Sequence, residues 1–536
     1  MTLGMESITM ILNHICDCCV PRIIGGLSCM PARCDRRVQC TGPAMSLVRR
    51  HPEKVRVARL PRSIKARRRQ SFMENVGNVL SAVEVKRSSR YRAWLLLLLS
   101  LIYASSFIDR IFIAVVGQSM KVDMNLSDLQ IGVLGGLAFS LFYATLGIPM
   151  ARLADRMSRV TLISLSIAAW SVMTVLCGTA GNFAQLLLYR LGVGIGEAGS
   201  TPTAHSLISD EFPEGRRATA LAIYALGPPL GAIGGAIGGG MIAQHFGWRP
   251  AFWVVGAPGL ILAVIAFLSL REPERGAMDR ITAADAQRNA SLGAIAAILL
   301  RSPLFVQLLL GTVIGAFAQY GINLFIPAYL TREFGLNAAQ AGMMFGLTIG
   351  VGGAIGTTLG GWIADRAGSS DKRWYAWVPA WGTLLGFVPV SLAFMQSDWH
   401  LAAALLFLAT ILLSSWNGPT FAAIHGLVAP RMRATTSAFV FLMMNFIGQG
   451  GGPTFIGFLS DRIAAHLFTA GDYSKVCRSP HGAHGAIGAV ADSPLAHACA
   501  DASSAGLRYA MLSMSIVLVW AAFHYFLAVR HVAKRH

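Results

Sequence analysis

A chain of 536 residues that is 54% hydrophobic and 13% charged is too apolar for an ordinary soluble protein, and too long for one or two membrane spans with a globular head. Its net charge of +19 does not mark a nucleic-acid binder: residues 1–92 hold 18 Lys/Arg and 6 Asp/Glu, a difference of +12, and the remaining cations cluster in alternate loops. That is the positive-inside pattern of a polytopic membrane protein, whose partners are membrane lipids and not DNA or RNA.

Residues 1–92 are Arg-rich and acid-poor, with apolar stretches too short and broken for a signal peptide, and are expected to be a disordered cytoplasmic leader. Met45 and Met73 are alternative starts to Met1, and a chain begun at Met73 is expected to insert and transport. Six of the nine cysteines fall here, and the Cys-Asp-Cys-Cys run at Cys16 to Cys19 matches no zinc or iron-sulfur spacing, so no metal is expected.

Continuous apolar runs, not alternating ones, predict α-helical spans over 93–117, 129–150, 160–178, 182–208, 218–243 and 250–270, and then over 305–330, 339–363, 374–395, 400–427, 434–459 and 509–529. The fold class is therefore all-α and polytopic, with twelve transmembrane helices. Two six-helix bundles, 93–270 and 303–530, flank a charged linker at 271–302, and 531–536 form a short tail. Arg152, Arg156 and Arg159 follow span 2, Arg366, Lys372 and Arg373 follow span 8, and Arg431 and Arg433 follow span 10, which places both termini in the cytoplasm. The Pro-Pro pair in LGPPLGAIGGAIGGG is expected to bend or interrupt span 5. One long outer loop, 466–507, holds Cys477 and Cys499, expected to form a disulfide in an oxidising periplasm, and His481, His484 and His497, read as solvated.

Ionisable residues inside spans are costly and mark function. Span 1 carries adjacent Asp109 and Arg110; span 4 carries Arg190 and Glu197, close to two helical turns and roughly 10 Å apart on one face. Span 1 runs outward and span 4 inward, which sets Asp109 and Arg190 within about a turn of the same depth, close enough to pair. A carboxyl group in a low-dielectric cavity prefers its neutral form, whereas a neighbouring arginine favours the carboxylate. An Asp109–Arg190 pair that opens and closes would thus link proton movement to conformation, with Glu197 sharing the proton or holding Arg190 when Asp109 releases it. Arg110, about 100° round the helix, is read as serving a substrate headgroup or facing a neighbouring helix.

The two bundles echo each other. MARLADRMSRV and GGWIADR place Asp155 and Asp365 at the ends of spans 2 and 8, an offset of 365 minus 155, or 210; Arg217 in RRATALA and Arg433 in RMRATTSA differ by 433 minus 217, or 216. A duplicated six-span unit is the layout of transporters whose halves rock about a midplane site. The stretch Ala151 to Arg159 is similar to the loop motif Gly-x-x-x-Asp-Arg-x-x-Arg of the major facilitator superfamily, with alanine for its first glycine; the second copy keeps Gly361, Asp365 and Arg366 but lacks the closing arginine. Within that superfamily the chain resembles the Spinster family of lipid and lysolipid transporters and its bacterial relatives. The resemblance lies in GIGEA at Gly194 to Ala198, Pro202, SLISDEFP at Ser206 to Pro213, Arg217, GWRPAFWVVGAPG at Gly247 to Gly259, and Asp109-Arg110; it covers 91–270 well and the second half only generically. It implies alternating access with Asp109, Arg190 and Glu197 in proton coupling, and a cytoplasmic gate of Asp155, Arg156, Arg159, Asp365 and Arg366. A rival resemblance is to anion:cation symporters, which import organic acids.

The second half has no acid or base at matching depth. Gln319, Tyr320 and Asn323 in span 7, Trp416, Asn417 and His425 in span 10, and Asn445 and Gln449 in span 11 offer neutral polar and aromatic groups. Of these, Gln319, Tyr320, Asn323, Trp416, Asn417 and Asn445, with Arg110, are the substrate-binding candidates, whereas His205 is read as a packed polar residue. The expectation is a monomeric proton-driven symporter or antiporter of a small molecule, with no cofactor and no enzymatic activity. A receptor or channel is the alternative of another class.

Overall fold

The computed structural model describes residues 88–154, 156–273, 293, 297, 299–428, 432–477 and 493–532. Residues 1–87 of the expected leader, Asp155, Arg431, His481 and His484 lie outside them, whereas the leader's last residues, 89–92, are helical and not disordered. All regular structure among the described residues is helical. We number the crossings α1 to α12. In the first half, α1 is Ser89–Asp123, α2 is Asp128–Gly132 continued by Val133–Leu137 and Ala138–Ala154, and α3 is Arg159–Cys177. Then α4 is Phe183–Glu197 with Ser200–Glu211, α5 runs from Glu214–Tyr224 through Gly227–Ile233 and Gly234–Gly238 to Gly239–Phe246, and α6 is Trp248–Ser269. In the second half, α7 is Pro303–Phe334, α8 is Ala338–Gly346, Leu347–Gly352 and Gly353–Gly368, and α9 is Trp374–Ala393. Last come α10, Trp399–Ser414 with Asn417–His425, α11, Arg433–Met443 with Met444–Gln449 and Gly450–Leu467, and α12, Pro494–Val532. Ten of these are by themselves long and apolar enough to cross a membrane; α4 and α11, which break or carry polar groups, complete the twelve.

Local chemistry sets the helix ends. Ser88, Ser158, Asn182, Ser302 and Asp398 cap first-turn N–H groups, Pro303 opens α7, and Gly335 at φ 67 closes it. The beginnings of α2 and α8 are both capping boxes, Ser127 with Gln130 and Asn337 with Gln340, in which each side chain satisfies the other residue's backbone donor. The two boxes are offset by 337 minus 127, or 210, the offset of the sequence repeat.

Three boundaries differ from the sequence reading by six residues or more, one being the end of α11, which continues to Leu467 instead of 459. Helix α1 continues to Asp123 instead of ending at 117, because Met120 is buried and Gln118 and Lys121 are hydrogen-bonded. Helix α12 begins at Pro494, fifteen residues before the apolar run at 509, and the outer loop is correspondingly shorter. A one-turn helix, Tyr473–Cys477, is joined to α12 by a Cys477–Cys499 disulfide with Cα atoms 5.6 Å apart, and Phe468, Tyr473 and Ala502 pack around it.

The repeat extends to irregularities. The corresponding helices α2, α5, α8 and α11 each contain one π-helical turn: VLGGL, GGAIG, LTIGVG and MNFIGQ. These helices meet across the halves with backbones nearly touching. A Cβ on Gly136 of α2 would lie 2.7 Å from the Gln449 carbonyl of α11, and one on Gly342 of α8 would run into the Ala236 carbonyl of α5. Helices α4 and α10 are both broken, at Ala198–Gly199 and at Ser415–Trp416.

The cores show how the halves are disposed. One apolar cluster spans both, joining Phe112, Ile131 and Leu134 of the first half to Phe325, Tyr329, Phe345 and Ile456 of the second. Toward the opposite end each half has its own, around Ile163, Trp170 and Leu207 in one and Phe305, Val440 and Tyr525 in the other. The halves are therefore fused at the Lys121 end and separately packed at the Arg159 end. Outward-facing Leu165, Leu188, Ile261, Phe267, Leu268 and Trp520 form the lipid-facing exterior that a bilayer protein requires.

Candidate functional site

The break in α4 places Glu197 at the end of a helical segment, opposite the middle of α1. Two buried ion pairs connect the helices. Asp109 and Arg190, 2% and 1% exposed, meet at 2.9 Å between Oδ2 and Nη1; Thr174 of α3 donates to Asp109 Oδ1 at 2.9 Å, and the Leu134 carbonyl accepts from Arg190 Nε at 3.5 Å. One layer away, Glu197 Oε2 accepts from Arg110 Nη2 at 2.7 Å and Nε at 2.8 Å, and from Ser106 Oγ at 2.7 Å. Glu197 Oε1 has no hydrogen-bond partner among the described residues.

Glu197 thus pairs with Arg110 and not with Arg190, although Arg190 and Glu197 share a helix. An α-helix presents residues seven apart on one face, but at about 10 Å their side chains are too far separated to meet, and α1 fills the gap with one cation and one anion of its own. Each charge of span 4 takes the opposite charge of span 1. Arg110 is also stacked: its guanidinium carbon lies 4.4 Å from the Tyr143 ring centroid, 4.6 Å from Phe139 and 5.1 Å from Phe107. The Tyr103 and Tyr143 phenols of the first half and Tyr320 of the second are within its electrostatic range. Arg110 is the one member of the four charges that keeps appreciable exposure, 12% of its side chain.

The second-half candidates divide. Tyr320 lies within electrostatic range of Arg110. Gln319 and Trp416 line a small cavity with Thr383 and Tyr525, and Gln319 and Asn323 line a second one with Ile322, Val390 and Leu413. Trp416 lies in the break of α10 and Asn417 directly follows it; Asn445 donates to the Phe441 carbonyl of its own helix at 2.7 Å and Gln449 is buried. His205 packs edge-on against Tyr224, and His425 meets Ser437 at 2.7 Å.

A family model described as Major Facilitator Superfamily matches residues 98–453. The chain is 30% identical over 379 residues to protein spinster homolog 1 of Homo sapiens, covering 67% of this chain and 71% of that one. It is 35% identical over 391 residues to an MFS-type efflux pump of Mycolicibacterium smegmatis, covering 72% and 90%. The crystal structure of a bacterial homolog to the human lysosomal transporter Spinster, inward-facing and unoccupied, superposes with a TM-score of 0.75 at 34% identity, covering 83% of this chain and 98% of that one. The chain belongs to the Spinster family of major facilitator transporters.

At the Arg159 end of this Spinster-family chain the loop-motif arginines separate. Arg156, Asp365 and Arg366 are exposed, and Asp365 accepts from Tyr375 at 3.0 Å within its own half. Arg159 is 2% exposed and binds Asp210, Ser206 at 2.9 Å, Glu272 at 2.7 Å and the Pro273 carbonyl at 2.8 Å. It therefore ties α3 to α4 and to the exit of α6, inside the first half. Burial works against the Glu272 carboxylate, but hydrogen bonds from Arg159, the Val160 N–H and Ser158 outweigh it and hold its pKa below the usual value.

Sequence reasoning missed Ser106, Thr174, Phe139 and Tyr143, which carry no signal beyond being polar or aromatic in a span. It also missed Asp210 and Glu272 as partners of Arg159. Glu272 reads in sequence as part of a charged linker, and only the folding back of that segment onto α3 makes it a ligand.

Proposed function

We propose that this transporter is proton-coupled and moves a small amphipathic or anionic organic solute, such as a lysolipid, by alternating access. The observation that carries the reading is the doubled ion pair between α1 and α4. One pair, Asp109–Arg190, is sealed, and the other, Arg110–Glu197, is flanked by the rings of Phe107, Phe139 and Tyr143 and lies within electrostatic range of Tyr320 of the other half. An anionic headgroup that reaches the exposed part of Arg110 competes with Glu197 for it. A carboxylate that loses its counter-ion in a low-dielectric site takes up a proton, so substrate occupancy and protonation become linked through one guanidinium. Asp109 follows if Arg190 is drawn away when the halves reorient.

The positive-inside distribution and the likeness to an inward-facing bacterial homolog support a multi-pass protein of the bacterial inner membrane, both termini cytoplasmic and the Arg159 end inward. It works as a monomer among membrane lipids, without a cofactor and with the proton gradient as driving force. The M. smegmatis relative's description as an efflux pump favours export; import of organic acids in the manner of anion:cation symporters is the alternative.

Transport into and out of proteoliposomes under imposed pH gradients tests the coupling. Asp109→Asn is expected to retain substrate binding and lose gradient-driven transport. Full gradient-driven transport by that variant removes Asp109 from the mechanism. Thermal-shift screening of lysolipids, organic acids and drugs identifies the solute, since a ligand that binds the native state raises apparent stability.

A further inference from the structure

The fused end carries a second set of charges that the coupling site does not use. Asp128, the first residue of α2 and 1% exposed, accepts Lys121 Nζ at 2.8 Å from its own half. From the other half it accepts Arg332 Nη2 at 2.6 Å, Arg332 Nη1 at 2.8 Å and Ser460 Oγ at 2.7 Å. Asp461 of α11 supplies the second carboxylate, accepting the backbone N–H groups of Asp128 at 3.1 Å and Leu129 at 2.9 Å. These are first-turn donors that the Ser127–Gln130 capping box leaves open, and a carboxylate there is favoured by the helix dipole. Arg332 Nε also donates to Gln118 at 2.7 Å, and Lys121 makes a longer contact of 3.4 Å to Ser503.

The repeat explains the composition of this set. Lys121 and Arg332 are counterparts at the ends of α1 and α7, offset by 332 minus 121, or 211. Asp461 has its own counterpart in Gln244, offset by 461 minus 244, or 217, and Gln244 accepts the Ala338 N–H of α8 at 3.1 Å across the other seam. One seam is thus capped by a neutral amide and its twin by a carboxylate within a cluster of four charges.

We propose that Lys121, Asp128, Arg332 and Asp461 form a neutral quartet that locks this end and exchanges partners when it opens. Closed, two cations and two carboxylates cancel, and the Arg332–Asp128 pair and the Asp461 cap cross the seam. Open, the quartet divides into two neutral pairs, Lys121–Asp128 in the first half and Arg332–Asp461 in the second, whose members already lie within electrostatic range. No half is left with a lone charge, the arrangement that is costly to bury. The inference rests on the reading that the halves rock.

The test is the rate at which a membrane-impermeant maleimide modifies Thr454→Cys, whose side chain faces the Gly132 carbonyl across the seam at 3.5 Å. Cys177 and the leader cysteines are replaced by serine, and the Cys477–Cys499 pair is kept. The rate follows the open fraction however small it is. Lys121→Met with Asp461→Asn leaves one ion pair across the seam and is expected to slow labelling at least threefold. Lys121→Met with Asp128→Asn leaves the surviving pair wholly within the second half and is expected to speed it at least tenfold. If that protein does not fold, Arg332→Met with Asp461→Asn, which leaves the pair wholly within the first half, should give the same rise. Changes of one sign in both kinds of double variant, or no change in either, overturn the quartet. The readout needs neither substrate nor a pH gradient, so loss of transport alone bears only on the functional proposal, whereas absence of labelling in every variant overturns the rocking reading and the lock together.

Discussion

Arg110 shows how much a neighbouring side chain determines. It is adjacent to Asp109 in sequence, yet the two face different partners, and the aromatic rings of Phe107, Phe139 and Tyr143 hold the guanidinium plane against Glu197. Lysine carries the same charge but neither the planar fork nor the stacking surface, so Arg110→Lys is expected to lower substrate affinity by at least tenfold while protein yield is unchanged; binding isotherms check this. Arg190, 1% exposed, has no such access to substrate. Arg190→Ala leaves Asp109 buried without its counter-ion, a change of the kind that costs about 3–5 kcal/mol, and should appear as a lowered melting temperature that Asp109→Asn in the same chain largely restores. Glu197→Gln distinguishes two roles: transport as impaired as in Asp109→Asn makes Glu197 a proton carrier, and milder loss makes it a holder of Arg110.

At the scale of elements, close backbone approach and end-to-end tethers matter most. Gly136 of α2 and Gly342 of α8 have counterparts' carbonyls where a Cβ would sit, so Gly136→Ala should loosen the fused seam and speed modification of Thr454→Cys, whereas Gly361→Ala, with open space around it, should not. Glu272 tethers the exit of α6 to the beginning of α3. Its folded pKa is below the unfolded value of about 4.3, so its contribution to stability is present above that pH and is lost as pH falls through the folded pKa. Glu272→Gln should therefore lower the melting temperature at pH 7 and have progressively less effect in acid; an equal effect at both pH values would contradict the tether. The Cys477–Cys499 disulfide closes a separation of 22 residues, worth about 3 kcal/mol in the chain-entropy account, and reduction should lower thermal stability without abolishing transport.

For the whole molecule, charge is unevenly placed between the halves. The membrane-embedded ion pairs at mid-depth, Asp109–Arg190 and Arg110–Glu197, belong to the first half, while the second contributes Tyr320 and the cavities lined by Gln319, Asn323, Thr383 and Trp416. If coupling resides in one half and recognition in both, Gln319→Leu and Trp416→Phe should change the apparent KM and leave the pH dependence of transport where it was. A shifted pH profile in either variant would bring the second half into proton coupling.

The sequence by itself determined the spans, the duplication and the four mid-membrane charges, because each rests on a local rule. Apolar length must match bilayer thickness, a repeat offset is arithmetic, and a charge in an apolar run is conspicuous wherever it folds. Even the meeting of Asp109 with Arg190 was within reach, since rise per residue converts position along two antiparallel helices into depth. The choice of partner was not: Glu197 goes to Arg110 because α1 sets an opposite charge beside each charge of α4, and Arg159 goes to Asp210 of α4 and to Glu272 because α4 packs beside α3 and a segment that reads as linker folds back onto it. The lock at the fused end was equally hidden, its members being 121, 128, 332 and 461 in a chain whose helix ends are full of ordinary charges. Which of them oppose one another depends on how two half-molecules are laid together, and no periodicity along a single helix carries that information.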